Sequence, residues 1–439
     1  MMNYDLKDLL EARELRVYLI EKLLNKGYVV ISLRTNYPGK DKGNEMTCKV
    51  IDLFHEIIKE EFNVNSKYDL NQAEGPVRIY GLKDVEGLII KEIICKLEET
   101  HPLGRLIDCD VYDQSLQSIS RSDLGYKSRR CFLCESDAFT CMRNQTHQLE
   151  DLTQYFNDTV KNFFREKIAL KLMEYTNQAM LYELMAHPSF GLVSPYTRGA
   201  HQDMDHYTFI DSLSVLNRYM FEFAKCGYSQ KPIQEIYDEA LKIGKACEKE
   251  MFNKTKGVNT HKGLIFVLGT LVLSSSKCLF EEKDFETIYE YAKRIGQDKL
   301  LELNNLEPSS GKALSNGEKI FLKHQVAGVR QEVSKGFPII KEVIPLIDLE
   351  NKDSIVKSLI YIMSQCEDTT IINRLGIDAL QDVKSTMKEV FNAQDFNEKK
   401  LKELEQSYID KGISPGGSAD LLCGAIYLSL IKPLFIKNN

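Results

Sequence analysis

The sequence lacks the features that direct a protein to nucleic acid, to a membrane or out of the cell. Its 57 Lys and Arg residues are outnumbered by 64 Asp and Glu, so the basic surplus that binds a phosphate backbone is absent. The most apolar runs, residues 264–273 and 421–430, are about half as long as the ~20 residues of a membrane span. The charged, helix-like N-terminus has no basic segment followed by an apolar one, so we predict no export signal.

The cysteine content gives no sign of a disulfide framework. Eleven cysteines, an odd number, are spread over the whole chain. Without an export signal, this usage favours reduced thiols in the cytoplasm. The chain has 439 residues, too many for one ordinary core, and no low-complexity linker. We therefore expect a cytoplasmic protein of two globular domains.

Hydrophobic periodicity divides the chain into a mixed region and a helical region. Helical spacing occurs at residues 5–25, 48–61 and 85–98, and strand-like runs occur at 28–33, 77–80 and 106–111. This mixture predicts an α/β or α+β domain, whereas from about residue 149 the pattern is nearly all helical. We assign residues 1–165 and 166–439 to the two domains, with a helical connector between them.

Two acids stand out in the segment HPLGRLIDCDV at residues 101–111. If this segment forms a strand, Asp108 and Asp110 point to the same face of the sheet. Two neighbouring carboxylates repel unless a cation lies between them, and Mg²⁺ prefers oxygen ligands and bridges phosphates to carboxylates. The pair would suit nucleotidyl transfer, in which such acids hold metal against an α-phosphate. The alternative is a solvated strand end with two surface acids.

The residues after this pair combine positive charge with metal-binding side chains. Arginines from Arg121 to Arg143 match phosphate oxygens, although surface charges would look the same. The spacing Cys131-x2-Cys134-x6-Cys141-x5-His147 is compatible with Zn²⁺ held by three thiolates and one imidazole. The second half of a zinc ribbon is missing, which favours the alternative that buried thiols pack a helical hairpin.

These segments together resemble the holo-citrate lyase synthase family over roughly residues 1–165. The resemblance rests on HPLGRLIDCDV at 101–111, ISR at 119–121, RRCFLC at 129–134 and CMRNQTH at 141–147, with R-E-x-R at 13–16 and N-x-P-G at 36–39. That family transfers a phosphoribosyl-dephospho-CoA group to a serine of the citrate lyase acyl carrier subunit and releases pyrophosphate. The resemblance implies a nucleotidyltransferase-like domain in which Asp108 and Asp110 are catalytic and bind Mg²⁺. It implies triphosphate contacts for Arg105, Arg121 and Arg130.

Four polar clusters interrupt the helical region, at residues 199–205, 255–263, 367–376 and 414–422. Each alone is explained by a helix cap or a turn. The second is rich in Lys, His, Asn and Thr, and the fourth begins a helix with Pro-Gly-Gly, an arrangement that attracts phosphate. If the clusters converge, they provide phosphate donors and carboxylates for Mg²⁺ in one pocket.

The same clusters resemble the triphosphoribosyl-dephospho-CoA synthase family over about residues 166–439. The motifs are PSFGLVSP (188–195), GAHQDMD (199–205), KGVNTHKG (256–263), GVRQEVSKGFP (328–338), EDTT (367–370) and SPGGSADLL (414–422). Ser189 stands where the family pattern has Lys, and Thr370 stands where it has Asn. In that family the 2′-hydroxyl of dephospho-CoA attacks the ribose of ATP and adenine leaves.

The second resemblance implies roles for several residues. The implied metal ligands are Asp203, Asp205 and Asp368, and the implied base is Glu183 or Glu248. The implied phosphate contacts are Lys256, Asn259, His261, Lys262, Arg330, Gly416, Gly417 and Ser418. The implied partners are ATP, dephospho-CoA and the acyl carrier subunit, because one family makes the triphosphate donor that the other consumes. Two alternatives stay open: an Mg²⁺-dependent ADP-ribosyl or nucleotide hydrolase, and a non-catalytic module that binds an acyl carrier protein.

Overall fold

The computed structural model describes residues 4–114, 117–305, 314–393 and 396–436. The chain divides into two compact units, Met1–Phe164 and Arg165–Asn439. Helix α5 (Leu149–Leu184) begins in the first unit and ends in the second. The first unit also contains helices α1 (Leu6–Leu24), α2 (Glu45–Glu61), α3 (Gly87–Thr100) and α4 (Ala138–Asn144), and strands β1 (Val29–Thr35), β2 (Ser66–Gln72), β3 (Gly75–Leu82), β4 (Ile107–Tyr112) and β5 (Ser118–Ile119).

The sheet of the first unit is antiparallel in the order β2-β3-β1-β4-β5. This arrangement makes the unit α+β. The side chains of β4 alternate: Ile107, Cys109 and Val111 are buried in a core covered by α2 and α3, and Asp108 and Asp110 lie on the opposite face. Helix α1 covers part of that opposite face through a smaller apolar cluster.

The predicted strands at 28–33, 77–80 and 106–111 are present as β1, β3 and β4. Strand β2 (SKYDLNQ) was not predicted. It lies at the edge of the sheet, and none of its residues is fully buried, so it lacks the apolar run that marks a strand in sequence.

The second unit is all α-helical among its described residues, as expected. Its helices are α6 (His206–Gly227), α7 (Ile233–Lys254), α8 (Lys262–Phe280), α9 (Thr287–Asn304), α10 (Asn316–His324), α11 (Val329–Ser334), α12 (Pro338–Val343), α13 (Asp353–Gln365), α14 (Thr369–Leu375), α15 (Ile377–Ala393), α16 (Glu398–Asp410) and α17 (Gly416–Ile431). Helices α8 and α17 pack together in one large apolar core.

Two helical stretches, Lys262–Phe280 and Gly416–Phe435, are long and apolar enough to cross a membrane by length and composition alone. The count of apolar runs in the sequence missed them, because small and polar residues interrupt both. In the structure 78% and 56% of their apolar windows are buried. A helix that is apolar on all sides is expected at the centre of a large helical core.

Candidate active sites

The two acids of β4 are joined by an arginine from the neighbouring strand. The antiparallel register places Arg34 of β1 opposite Asp108 and Ser32 opposite Asp110. Arg34 Nη2 lies 2.5 Å from Asp108 Oδ2 and 3.3 Å from Asp110 Oδ2. A guanidinium therefore occupies the position between the carboxylates at which the sequence predicts a cation.

The pKa values of the two carboxylates are shifted in opposite directions. Burial opposes ionisation of Asp108, but the charges of Arg34 and Arg129 outweigh it and lower its pKa. Burial and the charge of Asp108 raise the pKa of Asp110. Asp108 is thus held as an anion, and Asp110 is the member of the pair that more readily accepts a proton.

A buried glutamate gathers further cations beside this pair. Arg16 Nε lies 2.8 Å from Glu74 Oε2, and the guanidiniums of Arg13 and Arg34 are 3.4 and 3.8 Å from Glu74 Oε1. The pKa of Lys42 is lowered by burial and by the charges of Arg34 and Arg13. Close to the acid pair, positive charge therefore exceeds what the acids compensate, which suits a polyphosphate.

A second buried glutamate extends the network on the other side of Asp108. Glu98 receives Arg121 Nη1 and Arg129 Nη2, each at 2.5 Å. Arg129 Nη1 also donates to Asp108 Oδ1 at 3.0 Å, and Arg121 Nη2 donates to Glu99 at 2.8 Å. Arg129 therefore contacts the acid pair directly, whereas the acids that Arg121 contacts are Glu98 and Glu99.

The Cys131, Cys134, Cys141 and His147 side chains meet beyond Arg129. Their four possible ligand atoms lie within 4.8 Å of one another. His147 Nε2 is 3.3 Å from Cys134 Sγ, and this hydrogen bond is the largest cause that lowers the pKa of Cys134, to about 6.

In the second unit, Asp368 joins the N-terminal ends of α14 and α17. Its Oδ1 accepts hydrogen bonds from the backbone of Thr370 at 2.9 Å and of Ile371 at 3.4 Å. Its Oδ2 accepts from the backbone N–H of Ser418 at 2.8 Å and from the Ser418 hydroxyl at 3.0 Å. A Cβ on Gly417 would lie 3.2 Å from the carboxylate, so glycine permits this close approach.

The loop over residues 188–205 lies against the segment that precedes α17. Gly191 has a left-handed φ of +94°, and a Cβ there would overlap the backbone oxygen of Ile413. His201 Nε2 lies 2.8 Å from Ser414 Oγ and 3.5 Å from Arg374 Nη1. Three of the four polar clusters are therefore in contact at the start of α17.

Two carboxylates at this place have no hydrogen bond or ion pair to another residue within the described part of the chain. Glu183, at the end of α5, is 8% exposed, and burial raises its pKa to about 8. Burial also raises the pKa of Asp420 in α17, and the charges of Asp368 and Glu183 raise it further. A Cβ on Gly263 would overlap Asp420 Oδ2, so Asp420 lies against the N-terminal turn of α8. The remaining polar cluster, residues 255–263, thereby reaches the same site.

Family models match both halves of the chain. Residues 4–163 match the apo-citrate lyase phosphoribosyl-dephospho-CoA transferase model (CitX), and residues 169–438 match the ATP:dephospho-CoA triphosphoribosyl transferase model (CitG). Protein CitXG from Leuconostoc mesenteroides is 31% identical over 427 residues, which cover 91% of each chain. This chain belongs to the CitXG family. It is therefore a transferase with a CitX half (residues 4–163) and a CitG half (residues 169–438).

Other relatives agree with this division. Protein CitXG from Haemophilus influenzae is 28% identical over 96% of this chain and 95% of its own. The 2-(5''-triphosphoribosyl)-3'-dephosphocoenzyme-A synthase of Haemophilus ducreyi is 30% identical and covers 68% of this chain and 99% of its own. A solved structure from Archaeoglobus fulgidus aligns with 43% of this chain at 19% identity and a TM-score of 0.32, too distant to compare residues.

The predicted triphosphate contacts of the CitX half are mostly occupied within the protein. Arg105 donates to the backbone oxygens of Arg130 and of Cys131, the latter at 2.9 Å. The Arg130 side chain is exposed and pairs with Glu135. Together with the pairing of Arg121, these contacts do not support direct phosphate roles for the three arginines. Arg34 and Arg129 are also paired, but with the acids Asp108 and Asp110 themselves, and Lys42 feels the charge of Asp108, so these three lie at the acid pair. An arginine inside the apolar run of β1 was the available signal in the sequence.

In the CitG half, the predicted phosphate contacts around the start of α8 also have partners within the protein. His261 is 4% exposed, its ring Nδ1 is 2.7 Å from Ser212 Oγ, and burial lowers its pKa to about 3. A neutral, enclosed imidazole does not support the predicted phosphate contact. Lys262 Nζ pairs with Glu248 Oε1 at 2.6 Å near the surface, which leaves Glu248 unsuited as the base. Asn259 Oδ1 accepts the Lys262 N–H at 3.2 Å.

The other predicted phosphate contacts of the CitG half, Lys256, Arg330 and Gly416, lie in three different settings. Lys256 is exposed in a turn with a left-handed φ of 56°. Arg330 is partly buried on the short helix α11. A Cβ on Gly416 would lie 3.0 Å from Thr370 Oγ1, so this glycine, like Gly417, serves the packing of α17 against α14.

The predicted metal ligands Asp205 and Asp368 have their oxygens engaged by the protein. Asp205 Oδ1 caps α6 by accepting from the N–H and hydroxyl of Thr208, each at 3.1 Å, and Oδ2 pairs with Arg198 at 3.2 Å. Asp368 accepts the hydrogen bonds given above. Asp203 is 65% exposed at its side chain, 3.8 Å from His201 Nδ1, and accepts no hydrogen bond from a described residue. Of the three acids, Asp203 is the one whose oxygens accept no hydrogen bond from a described residue.

The departure at Ser189 has a structural counterpart. The backbone N–H and the hydroxyl of Ser189 donate to Glu405 Oε1 at 2.5 and 2.9 Å. His187 Nδ1 lies 3.6 Å from the same oxygen. The buried carboxylate is thus satisfied without a lysine.

Proposed function

We propose that the CitG half makes 2′-(5″-triphosphoribosyl)-3′-dephospho-CoA from ATP and dephospho-CoA, and that the CitX half uses it as donor. The CitX half would attach phosphoribosyl-dephospho-CoA to a serine of the citrate lyase acyl carrier subunit. The observation that carries the proposal is the presence in one chain of both family domains, each with a pair of neighbouring acids beside polar groups suited to phosphate.

In the CitG half, Glu183 and Asp420 would form the reaction centre. The 2′-hydroxyl oxygen bonds to C1 of the ATP ribose, the bond from C1 to adenine breaks, and the hydroxyl proton is passed to the departing adenine. Because the pKa of both acids is raised, the pair would hold one proton: its ionised member would accept the hydroxyl proton, and its protonated member would give a proton to adenine.

The charge of the developing ribosyl cation would be balanced by the ionised carboxylate of the pair, by analogy with glycoside chemistry. Mg²⁺ would be held by Asp203 and would neutralise the triphosphate. His201 and Arg374 would keep the Asp203 loop against the start of α17 through the contacts described above.

In the CitX half, the carrier serine oxygen would bond to the α-phosphorus and the bond to the β-phosphate oxygen would break, so that pyrophosphate leaves. Asp110 would take the serine proton, since its pKa is raised. Asp108 would hold Mg²⁺ through the oxygens that Arg34 and Arg129 leave when they turn to the phosphates, and the ion would supply charge neutralisation there. Arg34, Arg129 and Lys42 would contact the phosphate oxygens.

The direct test is mass spectrometry of the apo acyl carrier subunit incubated with this protein, ATP, Mg²⁺ and dephospho-CoA. We expect a phosphoribosyl-dephospho-CoA adduct on one serine and free adenine in solution. Adenine release from ATP without dephospho-CoA, or a carrier that binds but stays unmodified, would contradict the proposal. The first outcome indicates a hydrolase and the second a binding module.

A further inference from the structure

The four side chains Cys131, Cys134, Cys141 and His147 are brought together by a compact loop. The Cys131 N–H donates to the Ser136 oxygen at 2.8 Å and closes a turn that includes Cys134. Helix α4, which carries Cys141, is capped by Asp137, whose Oδ1 accepts the Thr140 N–H at 2.9 Å. The backbone after α4 reverses at Gln145, which has a left-handed φ of 48° and brings His147 back.

Three of the four atoms have separations close to those around a tetrahedral metal ion, and Cys131 Sγ lies within 4.8 Å of each of them. Zn–S and Zn–N bonds of about 2.3 and 2.0–2.1 Å place tetrahedral ligand atoms roughly 3.5–3.8 Å apart. Cys134 Sγ is 3.4 Å from Cys141 Sγ and 3.3 Å from His147 Nε2, and Cys141 Sγ is 4.0 Å from His147 Nε2. A disulfide needs sulfurs about 2.05 Å apart, and all of these cysteines are free thiols.

We propose that Cys131, Cys134, Cys141 and His147 bind one Zn²⁺ as a closed, structural site. Three thiols would lose their protons on binding, and the imidazole would bind through Nε2. Four protein ligands leave no position for a water or a substrate, which distinguishes this site from a catalytic zinc. The commoner reading of the sequence, in which buried thiols pack a hairpin, does not account for the imidazole among the sulfurs.

The loop also holds Arg129, which contacts the acid pair of the CitX half. The Ala138 N–H donates to the Arg129 backbone oxygen at 2.8 Å, so the start of α4 fixes the residue next but one to Cys131. The Arg129 guanidinium then spans Glu98 and Asp108. Zinc would therefore make Arg129 a positioned residue, and this part of the inference rests on the proposed function of the CitX half.

The loop is further fixed from the sheet side. Arg105, which precedes β4, donates to the backbone oxygen of Cys131, and its guanidinium lies 5.9 Å from the ring centroid of Phe132. Phe132 stacks on Tyr155 of α5 with centroids 5.4 Å apart. Arg105 thus holds the loop that carries Cys131, and its donors are directed to backbone oxygens rather than to a phosphate.

The test is the metal content of the full-length protein, purified without chelator from zinc-supplemented cells and measured by plasma mass spectrometry. We expect about one zinc per chain, released when the thiols are titrated with a mercurial. Replacement by Co²⁺ should give the intense visible bands of tetrahedral, thiolate-bound cobalt. Cys134→Ser and His147→Ala should lose most of the zinc, and Cys48→Ser, a partly exposed cysteine outside the cluster, should keep it.

The variant His147→Cys tests whether misfolding, rather than loss of a ligand, explains the effects of His147→Ala, because four thiolates still bind zinc. It should keep zinc and retain attachment, whereas His147→Ala should reduce attachment and leave adenine release unchanged. Substoichiometric zinc in wild-type protein with free thiols, or equal zinc in Cys134→Ser, would overturn the metal site. Normal zinc together with no attachment by wild type would instead contradict the proposed function alone.

Discussion

The two acid pairs of this CitXG chain are compensated in opposite ways. Asp108 and Asp110 are bridged by Arg34, and Asp108 also receives Arg129. Glu183 and Asp420 have no cationic partner among the described residues, and burial raises the pKa of both. The first pair is neutralised by the protein itself, whereas the second must be neutralised by a proton, a cation or the substrate.

The difference follows from the chemistry proposed for each half. Arginines that already hold two carboxylates can exchange them for phosphate oxygens, because both are bidentate anionic partners. A buried acid pair without arginines suits a reaction in which a proton moves and a ribosyl cation develops, since an unpaired carboxylate is available for both. Substitutions that separate the two kinds of pair therefore test the comparison.

The largest effect is expected from the uncompensated pair. Glu183→Gln and Asp420→Asn should each lower adenine release by about 10²–10⁴-fold, because each removes a proton donor or acceptor while keeping its shape. Attachment should be normal when the triphosphoribosyl intermediate is supplied directly. Chromatographic measurement of adenine checks the first expectation.

The matched control is Glu248→Gln, an acid that pairs with Lys262 near the surface. It should leave adenine release within about twofold of wild type, because surface pairs contribute little. Equal losses in Glu248→Gln and Glu183→Gln would show that the buried pair is not the reaction centre.

A somewhat smaller effect is expected from the compensated pair. Asp108→Ala should lower carrier attachment by about 10²–10³-fold, because it removes an electrostatic group at the phosphates and releases Arg34 and Arg129. Adenine release should not change, since Asp108 belongs to the CitX half. Intact mass of the carrier measures the attachment.

Arg130→Ala is the control for this half. Its guanidinium is exposed and pairs with Glu135, so attachment should stay close to wild type. If Arg130→Ala impairs attachment as much as Arg34→Ala, the arginine bridge between the acids does not define the phosphate site.

The contrast also shows which parts of the sites a sequence can indicate. The period-2 alternation of β4 predicts that Asp108 and Asp110 share a face, because this follows from strand geometry alone. The bridge by Arg34 depends on the register of β1 against β4, and the pairing of Glu98 with Arg129 depends on where α3 packs. Both are tertiary features that local spacing does not encode.

In the CitG half, the composition of the sequence indicated the polar clusters. It did not indicate which of their residues face the site. Asp368 and Asp205 are acids of the kind that bind a metal, but their oxygens accept the hydrogen bonds that cap α14 and α6. Asp420 lies one turn into α17, where an acid normally signals a solvated face. Only the packing of α17 against the start of α8 shows that it lies against another helix.

The uncompensated pair should also make the CitG half pH-sensitive. Glu183 has a folded pKa of about 8, above that of the unfolded chain, so the folded protein binds more protons at intermediate pH. The free energy of unfolding should therefore fall as pH rises from about 5 to about 8, by at most about 1.4 kcal/mol per pH unit. Asp420, whose pKa is also raised, acts in the same direction.

Denaturant unfolding of the CitG half at several pH values, in the absence of nucleotide, measures this slope. Glu183→Gln should flatten it, because glutamine does not titrate, and Glu248→Gln should not. A slope that is unchanged in Glu183→Gln would mean that another group binds the proton.

The smallest effects are expected from Asp203 and Asp205, and they distinguish an acid that caps α6 from one that binds metal. Asp205→Ala should lower the denaturant midpoint of unfolding, because it removes the cap that Thr208 shares. Asp203→Ala removes an exposed carboxylate without a hydrogen bond from a described residue, so stability should hardly change. Its effect should instead be a higher Mg²⁺ concentration for half-maximal adenine release. If Asp205→Ala shifts the Mg²⁺ requirement and Asp203→Ala does not, the metal is bound by the capping acid Asp205. An exposed carboxylate without a hydrogen bond would then be a poor guide to the metal ligand.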